Sequence, residues 1–335
     1  MAKRSATIVG VILVVLAVVV ISAVCRTVCV ELYTVAPQQM ENTLLAGDRV
    51  VVEKWHYGVR LPQSYLALPV VDTLPGSDIP ARIPATPLPY RRLALKEVGR
   101  NDVIVYNYPI DSDIPLSHYP TAIARCIGVP GDVVEARDGA LYINNVSSAQ
   151  SPIATAAYLV ADSILPQVEK AMMQQGEVSP SVQRIDSNHH LLYLDRYRYN
   201  KLCEHLPLSL HPTPVMLSQD NYKIELPRYN QEVPITPDNA AFYASIINRY
   251  EPAKVCLQGN ALYRGGRKMD SYRFSQPYYW VVCDNRTSAT DSRTFGVLPH
   301  SHVIGRCGTI IFSIDARQKG FSSWRIHRFF KSGNL

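Results

Sequence analysis

Residues 122–143 read AIARCIGVPGDVVEARDGALYI, and this stretch decides the fold. Valine, isoleucine and tyrosine are concentrated in three short runs, which is typical of strands. The runs are residues 122–128, 132–136 and 141–143. Pro130-Gly131 and Asp138-Gly139 separate the runs, and both dipeptides favour tight turns. The stretch therefore predicts three consecutive strands.

The same pattern extends in both directions along the chain. Further runs rich in Val, Ile and Tyr predict strands at 49–54, 102–107, 278–283 and 303–314. Helices are expected at only two places. They are residues 168–175 and residues 238–250, the second with Asp238 as its N-cap. Seven prolines between residues 62 and 89 predict an extended surface segment.

The composition excludes several classes of protein. With 47% hydrophobic residues in 335, the chain is not disordered as a whole and is long enough to bury a core. A net charge of +6 is too small to indicate a nucleic-acid partner. The seven cysteines are scattered without metal-type spacing, so we expect no metal and no cofactor. The sequence does not decide whether these cysteines form disulfides or remain buried free thiols.

An apolar run from residue 8 to residue 25 predicts a membrane anchor. As a helix it measures about 27 Å, close to the thickness of the bilayer hydrocarbon. Lys3 and Arg4 precede the run, and Arg26 is the only basic residue in the twenty that follow it. This asymmetry predicts a cytoplasmic N-terminus and an exported body. A cleaved signal peptide is the alternative, but its apolar run is usually only ~7–15 residues long.

Three motifs follow this anchor in order. The first is VAPQQMENTL at 35–44, the second is RCIGVPGD at 125–132, and the third is DNRTSATDSR at 284–293. Together they resemble the bacterial type I signal peptidases. These are membrane-anchored serine/lysine endopeptidases that remove signal peptides from exported proteins. Ahead of the second motif, Asn101 stands where the family has a glycine.

The resemblance implies a mainly β exported body, with a signal peptidase-like β fold, behind one N-terminal transmembrane helix. It also implies a single-pass protein of the bacterial inner membrane, in contact with lipid through the anchor. The tail interleaves basic and aromatic residues, which suits either contact with an anionic membrane surface or packing on the body. The expected parts are a cytoplasmic tip and anchor at 1–30, a core domain at 31–145 plus 276–314, an inserted second domain at 146–275, and the tail at 315–335.

The family's substrate groove would hold an extended peptide as an added strand, with shallow apolar pockets for small side chains. In this sequence the groove segments correspond to residues 32–39 and 121–124. The candidate groove residues are Thr34, Val35, Gln38, Gln39, Met40, Thr121, Ile123 and Ala124.

The residues that the family's chemistry requires are replaced. Gln39 occupies the nucleophile position and Ala124 the general-base position, so neither a hydroxyl nor an amine is present there. Ala289 stands where a serine orients the base, and Pro37 stands where a hydroxyl helps to hold the oxyanion. Losing the nucleophile or the base alone typically costs a factor on the order of 10⁴–10⁶. The sequence therefore predicts a catalytically degenerate member.

The residues that shape the fold around this centre remain. They are Arg125, Gly131, Asp132, Asp284, Arg286, Asp291, Ser292 and Arg293. The charged residues of the third motif are interpreted as ion pairs that hold a loop beside the groove. Cys283, just before this motif, replaces the family's usual glycine.

Three functional hypotheses follow. The favoured one is a membrane protein of the export pathway that binds signal peptides, preproteins, an active signal peptidase or other export machinery. The alternative is an active signal peptidase with a relocated site, for which Cys126, Cys283, Thr34, Thr43 and Ser288 are the nearest candidates, while His56 and Lys54 match no base position. The second alternative is an envelope interaction module that uses the 146–275 insertion.

Overall fold

A computed structural model describes residues 10, 13–15, 17–18, 29–36, 39–40, 43–61, 90–93, 96–110, 115–137, 140–147, 155–174, 181–185, 188–214, 222–285, 291–315, 318 and 320–333. Over these ranges the protein is mainly β, as predicted. Most of the predicted anchor, 8–25, and the whole proline-rich segment, 62–89, lie outside the described residues. Within the described part of the chain, no helix is both long enough and apolar enough to span a bilayer.

The described secondary structure is dominated by short strands. The first eleven are β1 Val30–Thr34, β2 Asp48–Glu53, β3 Val59–Arg60, β4 Arg92–Leu93, β5 Val103–Asn107, β6 Thr121–Gly128, β7 Val133–Arg137, β8 Ala140–Ile143, β9 Val146–Ser147, β10 Thr155–Ala161 and β11 Ser181–Arg184. The others are β12 His189–Asp195, β13 Thr213–Pro214, β14 Tyr222–Glu225, β15 Glu232–Pro234, β16 Cys256–Gln258, β17 Ala261–Arg264, β18 Arg267–Met269, β19 Ser271–Arg273, β20 Tyr278–Val282, β21 Leu298–Pro299 and β22 Val303–Ser313. The helices are α1 Leu165–Gln174, α2 Arg196–His205, α3 Ala240–Tyr250 and α4 Ser292–Phe295.

The largest sheet has seven strands in the order β1-β2-β22-β5-β6-β20-β21, and every neighbouring pair is antiparallel. Its side chains alternate between two faces, as pleating requires. Val103, Val105 and Ile123 enter one apolar cluster, whereas Ile104 and Ala124 enter a second. Because both faces are covered, every residue of β5 is buried.

A second core joins residues on both sides of the predicted domain boundary. Strand β14, from the predicted insertion, pairs with β7 in the four-stranded sheet β14-β7-β8-β9. Tyr243 and Ile247 of α3 share one apolar cluster with Val134, Ile143 and Trp280. Residues 222–274 are therefore integrated with the strands that precede the insertion.

The other part of the predicted insertion has its own core. Sheet β11-β12-β10-β13 packs with α1 and α2, and β10 pairs with β12 over its full length. Val160, Met172, Leu192 and Leu202 belong to a cluster separate from the other three. Residues 155–214 thus form a unit stabilised by its own apolar contacts.

The strand predictions from sequence are confirmed. All seven predicted runs match a strand (β2, β5, β6, β7, β8, β20 or β22), and their ends agree to within one residue. Both predicted helices are present as α1 and α3, but the predicted N-cap is wrong. Helix α3 begins at Ala240 with Asn239 as its N-cap, and the Asn239 Oδ1 atom accepts a hydrogen bond from the Thr236 N–H. Asp238 therefore lies one residue too early to cap the helix.

The C-terminal tail packs on the body over its described part. Arg328 Nη2 lies 2.6 Å from Oδ2 of the buried Asp48 at the start of β2. Trp324 and Phe329 pack against Phe312 of β22, with ring centroids 4.9 and 5.2 Å from it. Basic and aromatic residues of the tail thus stabilise β2 and β22 of the large sheet.

Candidate functional site

The three sequence motifs meet in space. The Asn285 N–H donates to the Gln39 backbone carbonyl over 3.3 Å, which joins the first motif to the third. Cys283 Sγ lies 3.7 Å from the Ile123 carbonyl oxygen, which brings the third motif to β6. Arg125 of the second motif contacts Asp284 of the third. Residues far apart in sequence therefore surround one centre.

Asp284 connects the three motifs at that centre. Arg125 donates two hydrogen bonds to its carboxylate, from Nε over 3.0 Å and from Nη2 over 2.8 Å. Thr43 Oγ1 donates a third over 2.6 Å. All three residues are buried or nearly so. A two-point arginine–carboxylate contact of this kind fixes geometry as well as contributing energy.

Asp291 organises the second half of the third motif. Its buried carboxylate accepts from the Cys283 N–H over 2.9 Å and from Arg293 Nη2 over 2.7 Å. It also caps the short helix α4 by accepting from the Arg293 N–H. Ser292 Oγ accepts from the Val281 N–H, which fixes the helix to β20. These groups hold the loop in place.

The turn of the second motif has a steric explanation. Gly131 has φ +86°, a backbone conformation that residues with a side chain rarely adopt, so glycine is favoured at this turn. Asp132 closes the turn by accepting from the Val129 N–H over 2.7 Å, and Arg100 Nη2 pairs with its carboxylate. Asn101 has φ 68°, a conformation that asparagine tolerates better than most residues, which explains how it replaces a glycine.

Gln39, which the family resemblance assigns to the nucleophile position, is buried. Its Oε1 atom lies 3.5 Å from Tyr33 Oη, and the same hydroxyl lies 3.5 Å from the Thr121 carbonyl oxygen. Burial raises the pKa of Tyr33 to about 12, so the phenol keeps its proton. The Tyr33 hydroxyl thus links the first predicted groove segment to the second. The sequence reasoning missed it, although its place two residues before Val35 put it within the first segment.

Ala124, in the general-base position, is closed off from solvent. It shares an apolar cluster with Tyr106 and Cys283. Strand β20 ends at Val282, which pairs with Arg125 of β6, and Cys283 follows it directly. Cys283 Sγ lies 3.7 Å from the carbonyl oxygen of Ile123, the residue before Ala124. The Cys283 side chain therefore lies in the same buried apolar region as the methyl group of Ala124.

The remaining groove candidates differ in exposure. Thr34 and Thr121 are exposed, and Val35, Met40 and Ile123 are buried in one apolar cluster. Met40 Sδ accepts from the Asp284 N–H over 3.5 Å. The exposed threonines are therefore the groove candidates open to contact with a peptide.

Alternative nucleophiles are poorly placed for chemistry. Cys126 is fully buried with Sγ 3.4 Å from the Gly128 carbonyl oxygen, and burial raises its pKa, whereas catalysis requires a lowered one. The Thr43 hydroxyl is committed to Asp284. Lys54 pairs with Glu31 at 2.6 Å, and burial lowers the pKa of His56, which lies 3.8 Å from Glu53.

Some candidates fall outside the described residues. They are Pro37, Gln38, Arg286, Ser288 and Ala289. In the described ranges, the six cysteines are free thiols, and no cluster of three or more potential ligands forms a metal site.

Comparison with known proteins identifies relatives of one kind. Signal peptidase I of Pseudomonas fluorescens is 30% identical over 128 residues, which are 38% of this chain and 34% of that protein. Signal peptidase I of Buchnera aphidicola is 20% identical over 297 residues, 86% of this chain and 72% of that protein. That of Rickettsia rickettsii is 26% identical over 180 residues, 54% and 58% of the two chains. The match to the Pseudomonas fluorescens relative thus spans about a third of its length.

A solved signal peptidase I from Enterococcus faecalis V583 aligns over 64% of this chain and 98% of its own, with 16% identity. Its TM-score is 0.25, so this superposition carries no weight. The sequence model of the family described as "Signal peptidase, peptidase S26" matches residues 8–194 and 251–312, more than half of the chain. The three motifs that meet around Asp284 lie wholly within the matched ranges, and this chain belongs to the signal peptidase family, peptidase S26.

Proposed function

We propose that this chain is a membrane-anchored member of the signal peptidase family that binds signal-peptide-like segments without cleaving them. The observation that carries the proposal is the pair Gln39 and Ala124. The first offers an amide where the family has a nucleophile, and the second a methyl group where it has a base. A peptidase of this type needs both a nucleophile and a group that removes its proton.

The preserved framework supports a binding role. The contacts of Asp284 with Arg125 and Thr43 hold the first and third motifs against β6 without any reactive group. Thr121 is exposed at the start of β6, and among the described strands β1 is the edge strand of the large sheet, with β2 as its one neighbour. A free strand edge can accept an extended peptide through main-chain hydrogen bonds. Signal peptides, preproteins or an export partner with such a segment are the proposed ligands, and the anchor at 8–25 would keep the site at the membrane surface.

The alternative of a relocated active site is less well supported. Cys126 is enclosed in the core with a raised pKa, and Thr43 donates its hydroxyl hydrogen to a carboxylate. The proposal is tested by incubating a signal-peptide-bearing precursor with the detergent-solubilised full chain. We expect no cleavage by the wild type. Cleavage that a single Cys, Ser, Thr or Lys substitution abolishes would overturn the proposal.

Binding is tested separately with a fluorescent peptide that carries an Ala-x-Ala segment. Thr121→Trp should block binding, because a large ring at this exposed position would occupy the groove. Thr213→Trp is the matched control, since Thr213 is also an exposed strand threonine but lies in the sheet of residues 155–214. Equal binding by both variants would argue against the groove and in favour of the insertion as the interaction surface.

A further inference from the structure

A cluster of cationic side chains lies where the two-stranded sheet β3–β4 meets the 3₁₀ turn His300–His302. Arg60 of β3 and Arg92 of β4 are direct cross-strand partners. Like charges at directly opposed positions are destabilising unless another group offsets them. The neighbours of both guanidinium groups therefore matter.

Among the described residues, the Arg92 guanidinium group donates to neutral acceptors. Its Nη1 atom donates to His300 Nε2 over 2.8 Å and to the Tyr57 carbonyl over 3.4 Å, and its Nη2 atom donates to the Val303 carbonyl. Burial and the charge of Arg92 lower the pKa of His300 to about 3, so the ring is neutral. Because Nε2 accepts from Arg92, the ring hydrogen sits on Nδ1, which lies 3.0 Å from Tyr279 Oη.

Arg60 also contacts uncharged groups. Its Nη1 atom donates to Asn107 Oδ1 over 2.8 Å, and its guanidinium carbon lies 5.7 Å from the centre of the Tyr90 ring. Burial, with the nearby charge of Arg92, lowers the pKa of Arg60 to about 10. His302 is also neutral, since burial lowers its pKa to about 4. Within the described ranges, no carboxylate lies within 4.0 Å of either guanidinium group.

The Tyr90 side chain links the two cations. It is a hydrogen-bond partner of Arg92 and acts electrostatically on both guanidinium groups, which places its hydroxyl near them. Arg92 Nε is enclosed and has no hydrogen-bond acceptor in ordinary geometry among the described residues. Two enclosed guanidinium groups without a carboxylate at contact distance are unfavourable, and a bound anion would offset their charge.

We propose that Arg60, Arg92 and Tyr90 form a binding site for a phosphate-class oxyanion. A phosphate group carries between one and two negative charges and several acceptor oxygens, which matches two guanidinium groups and a phenol. Trp55, Leu61 and Leu93 nearby in sequence are apolar and exposed. Such side chains suit the headgroup region of a bilayer, so the phosphate source is either a phospholipid headgroup or free phosphate. This site is independent of the proposed peptide binding.

The test measures thermal unfolding of the detergent-solubilised full chain in phosphate and in chloride at equal ionic strength. A ligand that binds only the folded state raises the melting temperature in a concentration-dependent way. We expect this rise for the wild type and for Arg91→Gln, which removes an exposed neighbouring charge. Arg92→Gln should bind phosphate about tenfold more weakly, since one charge-assisted contact is lost. No rise in the wild type, or equal rises in both variants, would overturn the proposal.

Two further arms complete the test. Micelles doped with phosphatidylglycerol or with phosphatidic acid distinguish a lipid headgroup from free phosphate, because only a headgroup site responds to lipid more strongly than to inorganic phosphate. If Arg92→Gln fails to fold, Tyr90→Phe replaces it, since this change keeps the ring and removes only the hydroxyl. Unaltered phosphate binding by Tyr90→Phe would remove Tyr90 from the site, and an unaltered response in Arg60→Gln as well would contradict the site itself.

Discussion

Cys283 and Ala124 are both fully buried and belong to one apolar cluster. The family resemblance assigns a glycine to the position of Cys283 and a lysine to that of Ala124. Here the long side chain has become a methyl group, and the missing side chain has become a thiol. Because interiors are closely packed, a change at one position alone would leave either a void or an overlap. We interpret the two substitutions as compensating.

This interpretation predicts the outcome of rebuilding the centre. Ala124→Lys alone should lower the free energy of unfolding by about 1–3 kcal/mol, because the added chain overpacks the cluster with Cys283 and Tyr106. Adding Cys283→Gly should recover part of that loss by making room. Urea unfolding followed by circular dichroism measures both. If the double variant is no more stable than Ala124→Lys, the two positions do not compensate each other.

The stability of the double variant also decides which substitutions are needed to restore peptidase activity. A variant with Gln39→Ser, Ala124→Lys and Ala289→Ser recreates the family's polar groups, but its lysine has no space while Cys283 remains. Cys283→Gly therefore belongs in that variant, and the chain with Cys283→Gly alone is its control.

At the scale of the elements, the hydrogen bonds from Arg125 and Thr43 to Asp284, here called the Asp284 clamp, hold three separate segments together. Arg125→Ala would leave this buried carboxylate without its cation, and such a loss typically costs about 3–5 kcal/mol. We expect urea unfolding to show a loss of this size. Arg137→Ala is the matched control, because Arg137 pairs with Glu135 on the surface and its loss should cause no measurable change. Similar effects of the two substitutions would contradict a structural role for the clamp.

Local pattern predicts much of this architecture. The strands rich in Val and Ile are found within one residue, since alternation and turn residues are properties of short segments. Contacts between residues far apart in sequence cannot be predicted from such short segments. The sequence predicts ion pairs for the third-motif charges, and Asp291 does pair with Arg293 two residues away. Asp284, in contrast, pairs with Arg125 across 159 residues, a partner that no local pattern indicates. Tyr33, which reaches Gln39 and Thr121 together, depends on the folding of β1 beside β6.

At the scale of the whole molecule, the insertion consists of two parts with different relations to the core. Residues 222–274 share a core with β7 and β8, so they cannot be removed without exposing Val134 and Ile143. The unit at 155–214 keeps its buried residues in a separate cluster. Composition alone did not reveal this division, because both parts alternate short strands with turns.

Excision of residues 148–220 tests the division. The register Ser147–Tyr142, Tyr142–Glu135 and Glu135–Lys223 aligns the cut ends across one sheet. Three strand spacings separate them by roughly 14 Å, which a Gly/Ser linker of about six residues spans. We expect the shortened chain to unfold in one cooperative transition, because no residue of the other three apolar clusters is removed.

The shortened chain also separates the two binding hypotheses, because peptide binding through the groove requires only the segments around Gln39 and Thr121. We expect it to bind the Ala-x-Ala peptide as tightly as the full chain, and Thr121→Trp in the shortened chain to abolish that binding. A folded shortened chain that no longer binds would assign the interaction to residues 155–214, since the cores that position the groove would still be intact.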